Sequence, residues 1–150
     1  MIGKCSDQKG LPDMKVMIDT NILLDVLLGR EDFFANSKAV LKLCEGRKIE
    51  GFISASAITD IFYITRKALG DLAETYRVIG EMLNIVRILT VTNEDVIGAF
   101  QQKARDFEDC LVATCAKSNH CVAIVTRNKR NFLNFGMPLF SPEELLDAVK

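Results

Sequence analysis

Short apolar runs alternate with longer stretches of helix-like pattern along most of this chain. The runs are rich in Val, Ile and Phe and predict strands at 15–18, 50–54, 86–91, 122–126 and 138–140. Apolar residues at helical spacing predict helices at 20–28, 34–46, 56–69, 71–84, 93–104, 110–116 and 142–149. The largely polar composition of residues 127–136 predicts a loop. Strands separated by helices in this order predict one parallel sheet that is covered on both faces.

Two of the predicted helix starts carry the residues of a capping box. Thr92 precedes Asp95 by three positions, and Ser141 precedes Glu144 by three, with Pro142 in the first turn. In such a box the N-cap hydroxyl and the carboxylate each accept a hydrogen bond from the other residue's backbone N–H. Both spacings therefore predict where these helices begin.

Size and composition predict a single domain at 14–150. The chain has 150 residues, of which 49% are hydrophobic and 26% charged, as is ordinary for a globular domain. Its apolar runs are shorter than the roughly 18 residues that a membrane helix needs. Residues 1–13 are polar and predict a disordered leader, either a vector remnant or the product of an upstream start codon. The net charge of −1 gives no overall attraction for nucleic acid, so a phosphate ligand needs local cations or a metal ion.

The cysteines and the histidine argue against several kinds of site. The five cysteines are Cys5, Cys44, Cys110, Cys115 and Cys121. Their number is odd, no Cys-x-x-Cys pair occurs, and most lie in apolar stretches, which is typical of reduced thiols in a cytoplasmic protein and argues against a zinc site. His120 is the only histidine, and no Ser or Cys nucleophile is paired with it in the sequence, which argues against a catalytic triad.

Four acids stand at predicted strand or helix ends in otherwise apolar surroundings: Asp19, Asp60, Asp106 and Asp109. Two unit charges about 4 Å apart repel by about 4 kcal/mol at an effective dielectric of about 20, so a cluster of these acids implies a bound hard cation. Most also have a structural explanation, since Asp19 and Asp106 could cap the helices after them and Asp60 could be solvated on a polar helix face. Asp109 is the hardest to explain in that way, because the helix that it opens has no polar face.

Basic residues lie near the same predicted edges. They are Lys67, Arg105, Arg127, Lys129 and Arg130, and Tyr63 is about one helical turn from Asp60. Such a rim could hold a phosphate backbone and stack a base, although scattered surface cations are the commoner explanation. The candidates for nucleic-acid contact are Tyr63, Lys67, Arg127 and Lys129.

Four motifs occur in a fixed order on the predicted elements. Asp19-Thr20-Asn21 comes after the first strand, and Asp60 lies on the helix after Ser54-Ala55-Ser56. Asp106-Phe107-Glu108-Asp109 precedes an alanine-containing helix, and Val125-Thr126-Arg127-Asn128 comes after the fourth strand. With these motifs the chain, from Met14 to about Lys150, resembles PIN-domain proteins, most of all the bacterial group that includes the VapC-type ribonuclease toxins.

The resemblance implies an α/β fold, a three-layer αβα sandwich with a central parallel sheet, and a Mg²⁺- or Mn²⁺-dependent hydrolysis of single-stranded RNA. It assigns Asp19, Asp60 and Asp109 as catalytic acids and metal ligands, with Asp106 as an accessory ligand. It assigns Asn21, Thr126 and Asn128 to the residues that orient the first acid or line the edge of the site. The candidates on the basic rim would then bind RNA. The resemblance also suggests a homodimer and a small antitoxin partner.

Two departures from the family pattern leave alternatives open. The second acid is usually glutamate, and Asp60 is one methylene shorter; the later acidic positions hold Asn128 and Asn131, whose amides can coordinate through oxygen but add no charge. One alternative is therefore a catalytically weakened PIN domain that binds RNA or a partner. A phosphoaspartate protein is another, but the haloacid-dehalogenase pattern needs an acid where Asn21 stands, and a receiver needs its aspartate after a later strand.

Overall fold

The computed structural model describes residues 14–150, so the predicted leader at 1–13 lies outside the described residues. Five strands occur in the described part, namely β1 (Lys15–Ile18), β2 (Glu50–Ser54), β3 (Arg87–Leu89), β4 (Ala123–Val125) and β5 (Leu139–Phe140). The α-helices there are α1 (Thr20–Leu27), α2 (Phe34–Glu45), α3 (Ile58–Leu69), α4 (Leu72–Leu83), α5 (Asn93–Gln101), α6 (Phe107–Ser118) and α7 (Pro142–Val149). Single turns of 3₁₀ helix lie at Ala55–Ala57 and Lys129–Phe132.

The strands form one parallel sheet in the order β3-β2-β1-β4-β5. The chain builds outward from β1 through β2 to β3, and it then crosses to the other side of β1 to add β4 and β5. The direction of winding therefore reverses between β1 and β4. In open parallel sheets this reversal leaves a crevice at the carboxyl ends of the two strands, where ligands bind.

The sheet is buried on both faces, as the strand sequences require. In β1 the side chains of Val16 and Ile18 join one core cluster and that of Met17 joins another, because successive side chains of a strand point to opposite faces. The first cluster includes residues of α1, α2, α3, α4 and α7, and the second is built largely on α6. The predicted three-layer arrangement with a central parallel sheet is confirmed.

Several predicted elements differ from the observed ones; the helix predicted at 110–116, for example, spans Phe107–Ser118. The strand predicted at 86–91 shortens to Arg87–Leu89, which pairs with β2 and is largely exposed at the edge of the sheet. The helix predicted to 104 ends at Gln101, and Lys103 takes a positive φ of 51°. The predicted polar loop at 127–136 contains a 3₁₀ turn whose Phe132 is buried against α6, and the half-buried Phe135 packs on the same core cluster, so two aromatic residues give this segment its core contacts.

Other local predictions are confirmed. Both capping boxes are present, at Thr92 with Asp95 and at Ser141 with Glu144. The cysteines at 44, 110, 115 and 121 are buried free thiols, and burial raises the pKa of the Cys44 thiol to about 12. Within residues 14–150 no helix combines the length and the apolar character needed to cross a bilayer.

Candidate functional site

Asp19 stands at the point where the winding of the sheet reverses. It is the first residue after β1, and its backbone N–H donates to the carbonyl of Val125 at the end of β4, at 2.9 Å. Its carboxylate Oδ2 accepts a hydrogen bond from the Thr126 hydroxyl at 2.8 Å. The residue occupies the N-cap position of α1, but its side chain makes no capping hydrogen bond. Burial raises the pKa of Asp19, and the Thr126 hydrogen bond offsets that rise only in part.

Asp60 comes to the same edge through the turn after β2. The 3₁₀ turn Ala55–Ala57 leads directly into α3, which places Asp60 in the first turn of that helix. Asp60 is exposed and shares a hydrogen bond with the Glu108 carboxyl group. That hydrogen bond, then burial, then the charges of Asp60, Asp106 and Asp19 raise the pKa of Glu108 to about 7.

The first turn of α6 supplies the remaining acids. Asp106 is the N-cap, and its Oδ1 accepts a hydrogen bond from the backbone N–H of Asp109 at 3.0 Å, so the capping interpretation of Asp106 is confirmed. The same residue also acts on its neighbour electrostatically. Burial, together with the charges of Asp106 and Asp19, raises the pKa of Asp109 to about 7. Asp106 is therefore a cap whose charge also belongs to a cluster of carboxylates.

Three of the acids lie in the first turns of α3 and α6, at the amino-terminal ends of these helices. Helix N-termini favour negative charge, which is one reason why the sequence can place Asp60, Glu108 and Asp109 in first turns. The helix N-termini do not cancel the repulsion among the carboxylates, because the pKa values of Glu108 and Asp109 are still raised. Asp19, Asp60, Asp106, Glu108 and Asp109 together form the carboxylate cluster.

The donor set of the carboxylate cluster fits a hard divalent cation. Its donors are carboxylate oxygens, the ligands that Mg²⁺ and Mn²⁺ prefer, and a cation would relieve the repulsion among them. Among residues 14–150, however, no group of three Asp, Glu, His or Cys side chains is already placed to hold an ion. The acids must therefore move inward, or coordinate through water, if they bind one.

The polar residues predicted to orient the site take different partners. The Thr126 hydroxyl donates to Asp19 and accepts from the backbone N–H of Asn128 at 2.9 Å, and Thr126 is fully buried. Asn128 thus supports the site through its main chain. The Asn21 Oδ1 accepts a hydrogen bond from Arg30 Nη1 at 3.2 Å, so this side chain reaches an arginine.

The four predicted nucleic-acid contacts divide into two pairs. Tyr63 and Lys67 are exposed on α3, on the turns after Asp60, and 64% of the Tyr63 surface is accessible. Lys129 and Arg127 are each engaged by an acid. Lys129 Nζ lies 2.8 Å from a Glu144 carboxylate oxygen at the surface, and Arg127 forms a two-pronged ion pair with Asp25.

Two residues of this region are not among the site residues predicted from the sequence. Glu108 lies inside the third of the four motifs, and the available signal is its place in a helix first turn beside Asp106 and Asp109, where three acids crowd within four positions. Asp25 is a lone acid inside the apolar run of α1, and it is fully buried. A charge in such a run needs a counter-charge, but the sequence cannot show that Arg127, 102 positions away, supplies it.

Comparison with models of known protein families identifies the family of the chain. The sequence model of the PIN domain matches residues 15–130. The comparison with curated proteins gives no match.

Solved structures resemble the chain closely in fold and weakly in sequence. DNA-bound VapBC from Salmonella typhimurium matches with a TM-score of 0.68 at 19% identity, over 86% of this chain and 98% of that chain. VapBC2 from Rickettsia felis, bound to a promoter DNA fragment, gives 0.65 at 18% identity over 85% and 98%. A toxin–antitoxin complex from Klebsiella pneumoniae gives 0.61 at 20% identity over 85% and 97%. At these identities the likeness establishes the fold.

Proposed function

The chain belongs to the PIN-domain family, and from that premise we propose that it is a metal-dependent endoribonuclease that hydrolyses phosphodiester bonds of single-stranded RNA. The observation that carries the proposal is the carboxylate cluster at the reversal point of the sheet. Five acids from three segments meet there, and two of them have a pKa raised to about 7. Strongly perturbed acids in the crevice of an α/β sheet are typical of active sites.

The proposed cofactor is Mg²⁺ or Mn²⁺. Asp19 and Asp109 would hold the ion directly, whereas Asp60 and Asp106 would act through water or hold a second ion. A bound ion of this kind supplies Lewis acidity toward a phosphate oxygen and lowers the pKa of its water. The absence of charge at Asn128 and Asn131 favours one firmly held ion over two.

The residues of this chain perform the remaining tasks. Thr126 holds the Asp19 carboxylate in one orientation through its 2.8 Å hydrogen bond. Glu108, whose pKa is raised to about 7 beside Asp60, is placed to accept or release a proton as water adds to phosphorus and the bond to the 3′ oxygen breaks. Tyr63 offers an exposed ring on which a base can stack, and Lys67 offers a cation for the phosphate backbone. Lys129 can join them, because its surface pair with Glu144 stabilises the fold little.

We further propose a small antitoxin partner, a homodimer and a cytoplasmic location. The support is the family and the likeness to structures described as VapBC or toxin–antitoxin complexes. Co-expression with the product of the adjacent open reading frame, and then purification through a tag on only one of the two proteins, tests the partner. Co-purification and inhibition of cleavage are expected. Light scattering of the separate chain tests the dimer.

The central test is cleavage of single-stranded RNA by the purified protein in Mn²⁺, with chelator as the metal-free control. We expect cleavage by the wild type and none by Asp19→Asn or Asp109→Asn, whose side chains keep their shape but lose their charge. Asp147→Asn is the matched control, because Asp147 is an exposed acid on α7 and outside the carboxylate cluster. Equal cleavage by all four proteins would point to a contaminating nuclease and contradict the proposal.

One outcome of the same experiment favours the binding-module alternative. A wild type that retains single-stranded RNA on a filter, with or without Mn²⁺, but leaves it intact would be a catalytically weakened PIN domain. Two observations keep this alternative in view. No three ligating side chains in the described part are preassembled, and amides stand at positions 128 and 131.

A further inference from the structure

An ion-pair network around the buried Asp25 lies beside the carboxylate cluster. Asp25 is fully buried, and its Oδ2 accepts hydrogen bonds from Arg127 Nε at 2.8 Å and from the Ser37 hydroxyl at 2.7 Å. Its Oδ1 accepts from Arg127 Nη2 at 3.0 Å and from Arg30 Nη1 at 3.4 Å. The Arg127 guanidinium also lies over the Phe33 ring, 3.7 Å from its centroid. Asp25 and Ser37 are fully buried at the centre of this set, whereas Arg127, Arg30 and Phe33 each keep part of their surface exposed.

Both ends of the network are joined to residues that surround Asp19. Arg127 comes directly after Thr126, whose hydroxyl donates to Asp19 Oδ2 at 2.8 Å. Arg30, at the other end, donates to Asn21, two residues after Asp19, at 3.2 Å. The network therefore ties the segment after β4 to α1 and the turn at the end of that helix, and Asp19 stands where the two meet.

We propose that Asp25 and Arg127 are positioning residues, which act through Thr126 to hold the Asp19 carboxylate in one orientation toward a divalent cation. The inference rests on the proposed metal-dependent function. A planar guanidinium held at two points by a carboxylate fixes direction as well as distance, which a single point charge cannot do. Partners of this kind behind a metal ligand typically affect metal affinity or activity by about 10- to 100-fold.

The decisive variant is the double substitution Asp25→Asn with Arg127→Met. It removes one negative and one positive charge, so the net charge near Asp19 is unchanged and simple electrostatics predicts little change in cation affinity. Arg127→Met alone would favour a cation through charge, and Asp25→Asn alone would disfavour it. A loss of affinity in the double variant therefore reports lost positioning.

The expected result separates the positioning role from a structural one. The metal-free double variant should be more stable to urea than Asp25→Asn alone, because Arg127 is no longer left as an unpaired charge. Its Mn²⁺ dissociation constant, measured by calorimetry under conditions where all variants are folded, should nevertheless rise by about tenfold or more. Crystal structures should show the Thr126–Asp19 hydrogen bond lost or the Asp19 side chain in more than one rotamer.

Two control variants test whether the effect is specific. Glu74→Gln with Arg77→Met removes an ion pair of the same net charge from exposed positions on α4, and Mn²⁺ affinity should not change. Leu145→Ala removes a fully buried side chain of α7 and lowers stability without touching the network, and here too the affinity of the folded protein should stay.

Two results would overturn the inference. One is a dissociation constant of the double variant within about twofold of the wild type. The other is a weakened affinity with the Thr126–Asp19 contact intact, because the loss would then not pass through Thr126. If the wild type binds no Mn²⁺, the proposed function fails, and the contact in the variant crystals alone decides the positioning role.

Discussion

Two carboxylate environments lie within the same region, and they differ in what surrounds them. Asp25 is fully buried, and its two oxygens receive hydrogen bonds from Arg127, Arg30 and Ser37. Asp109 is only half-buried, and burial together with the charges of the acids Asp106 and Asp19 raises its pKa to about 7. The more deeply buried acid is thus the better compensated one.

The difference shows which features of an acid indicate function. Burial alone does not, since a buried charge with enough donors is part of the fold. An acid that the fold crowds with like charges is different, because an amide or an apolar residue at that position would have avoided the repulsion. Retained repulsion suggests a ligand that relieves it, and a divalent cation does so. Each side of this contrast can be tested by substitution.

The largest effect is expected from Asp19→Asn, which changes the acid at the reversal point of the sheet. Cleavage of single-stranded RNA in Mn²⁺ should fall by at least about a thousandfold, or about 4 kcal/mol of transition-state stabilisation. The metal-free protein should melt at the same temperature as the wild type or higher, because one repelling charge is gone and the shape is kept. Gel-based cleavage and thermal melts with and without Mn²⁺ measure both.

The metal response provides the control for this variant. An ion that binds only the folded protein adds about 2.7 kcal/mol of stability at a hundredfold excess over its dissociation constant. Wild type should show this rise in melting temperature, and Asp19→Asn should lose most of it. Equal rises in the two proteins would mean that Asp19 is not a ligand.

The next largest effect is expected on the free energy of unfolding when the ion pair of the buried Asp25 is broken. Asp25→Asn leaves Arg127 without its partner in a largely buried site, and breaking such a pair typically destabilises a protein by about 3–5 kcal/mol. Urea unfolding at neutral pH should show a loss of this order. The exposed pair of Arg77 with Glu74 is the matched comparison, and Glu74→Gln should cost much less stability because solvent screens that pair. Similar losses in both variants would remove the distinction between the buried and the surface pair.

A smaller effect is expected from pH in the metal-free protein. Glu108 and Asp109 have pKa values of about 7 in the folded state and ordinary values of 4.5 and 3.8 otherwise, so the folded state binds more protons between those limits. Stability from these groups is therefore fully present below the ordinary values and is lost as the pH rises toward and through about 7. In chelator the wild type should melt lower at about pH 8 than at about pH 5.

The same groups can be removed to check that they are the cause. Glu108→Gln with Asp109→Asn should flatten this pH dependence, and Mn²⁺ at the higher pH should restore stability to the wild type but not to the double variant. A profile that keeps its slope in the variant would assign the pH effect to other acids.

The sequence is informative about this site where its signals are local. Asp19, Asp60, Asp106 and Asp109 can be proposed because each stands at an element end, and the ends of parallel strands and the starts of the next helices meet at one edge of a sheet. Capping boxes at Thr92 and Ser141 can be predicted for a similar reason, since a few adjacent positions determine them.

The features that the sequence does not reveal depend on distant partners. The ion pair between Asp25 and Arg127 joins residues 102 positions apart, and neither residue alone indicates the other. The same limit explains why the sequence predicts Arg127 as an RNA contact, although the structure engages two of its donor nitrogens with Asp25. Phe132, buried from within a polar segment, is a further case, because isolated aromatic residues in such a segment do not create a periodic pattern.

The smallest effect is expected from lengthening the second acid, which tests whether the cluster is limited by reach. Asp60 is exposed and hydrogen-bonded to Glu108, and no three ligands in the described part are already in place for an ion. Asp60→Glu adds one methylene and should let the carboxylate approach the ion that Asp19 and Asp109 hold. Each tenfold gain in Mn²⁺ affinity would raise the metal-induced stabilisation by about 1.4 kcal/mol, and we expect a gain of several-fold.

Without metal the longer acid crowds the cluster further, so the chelated variant should melt slightly below the wild type. Asp147→Glu, the same change at an exposed position of α7, should alter neither quantity. Weaker Mn²⁺ binding by Asp60→Glu would show that the short acid and its hydrogen bond to Glu108 are already the better arrangement for this site.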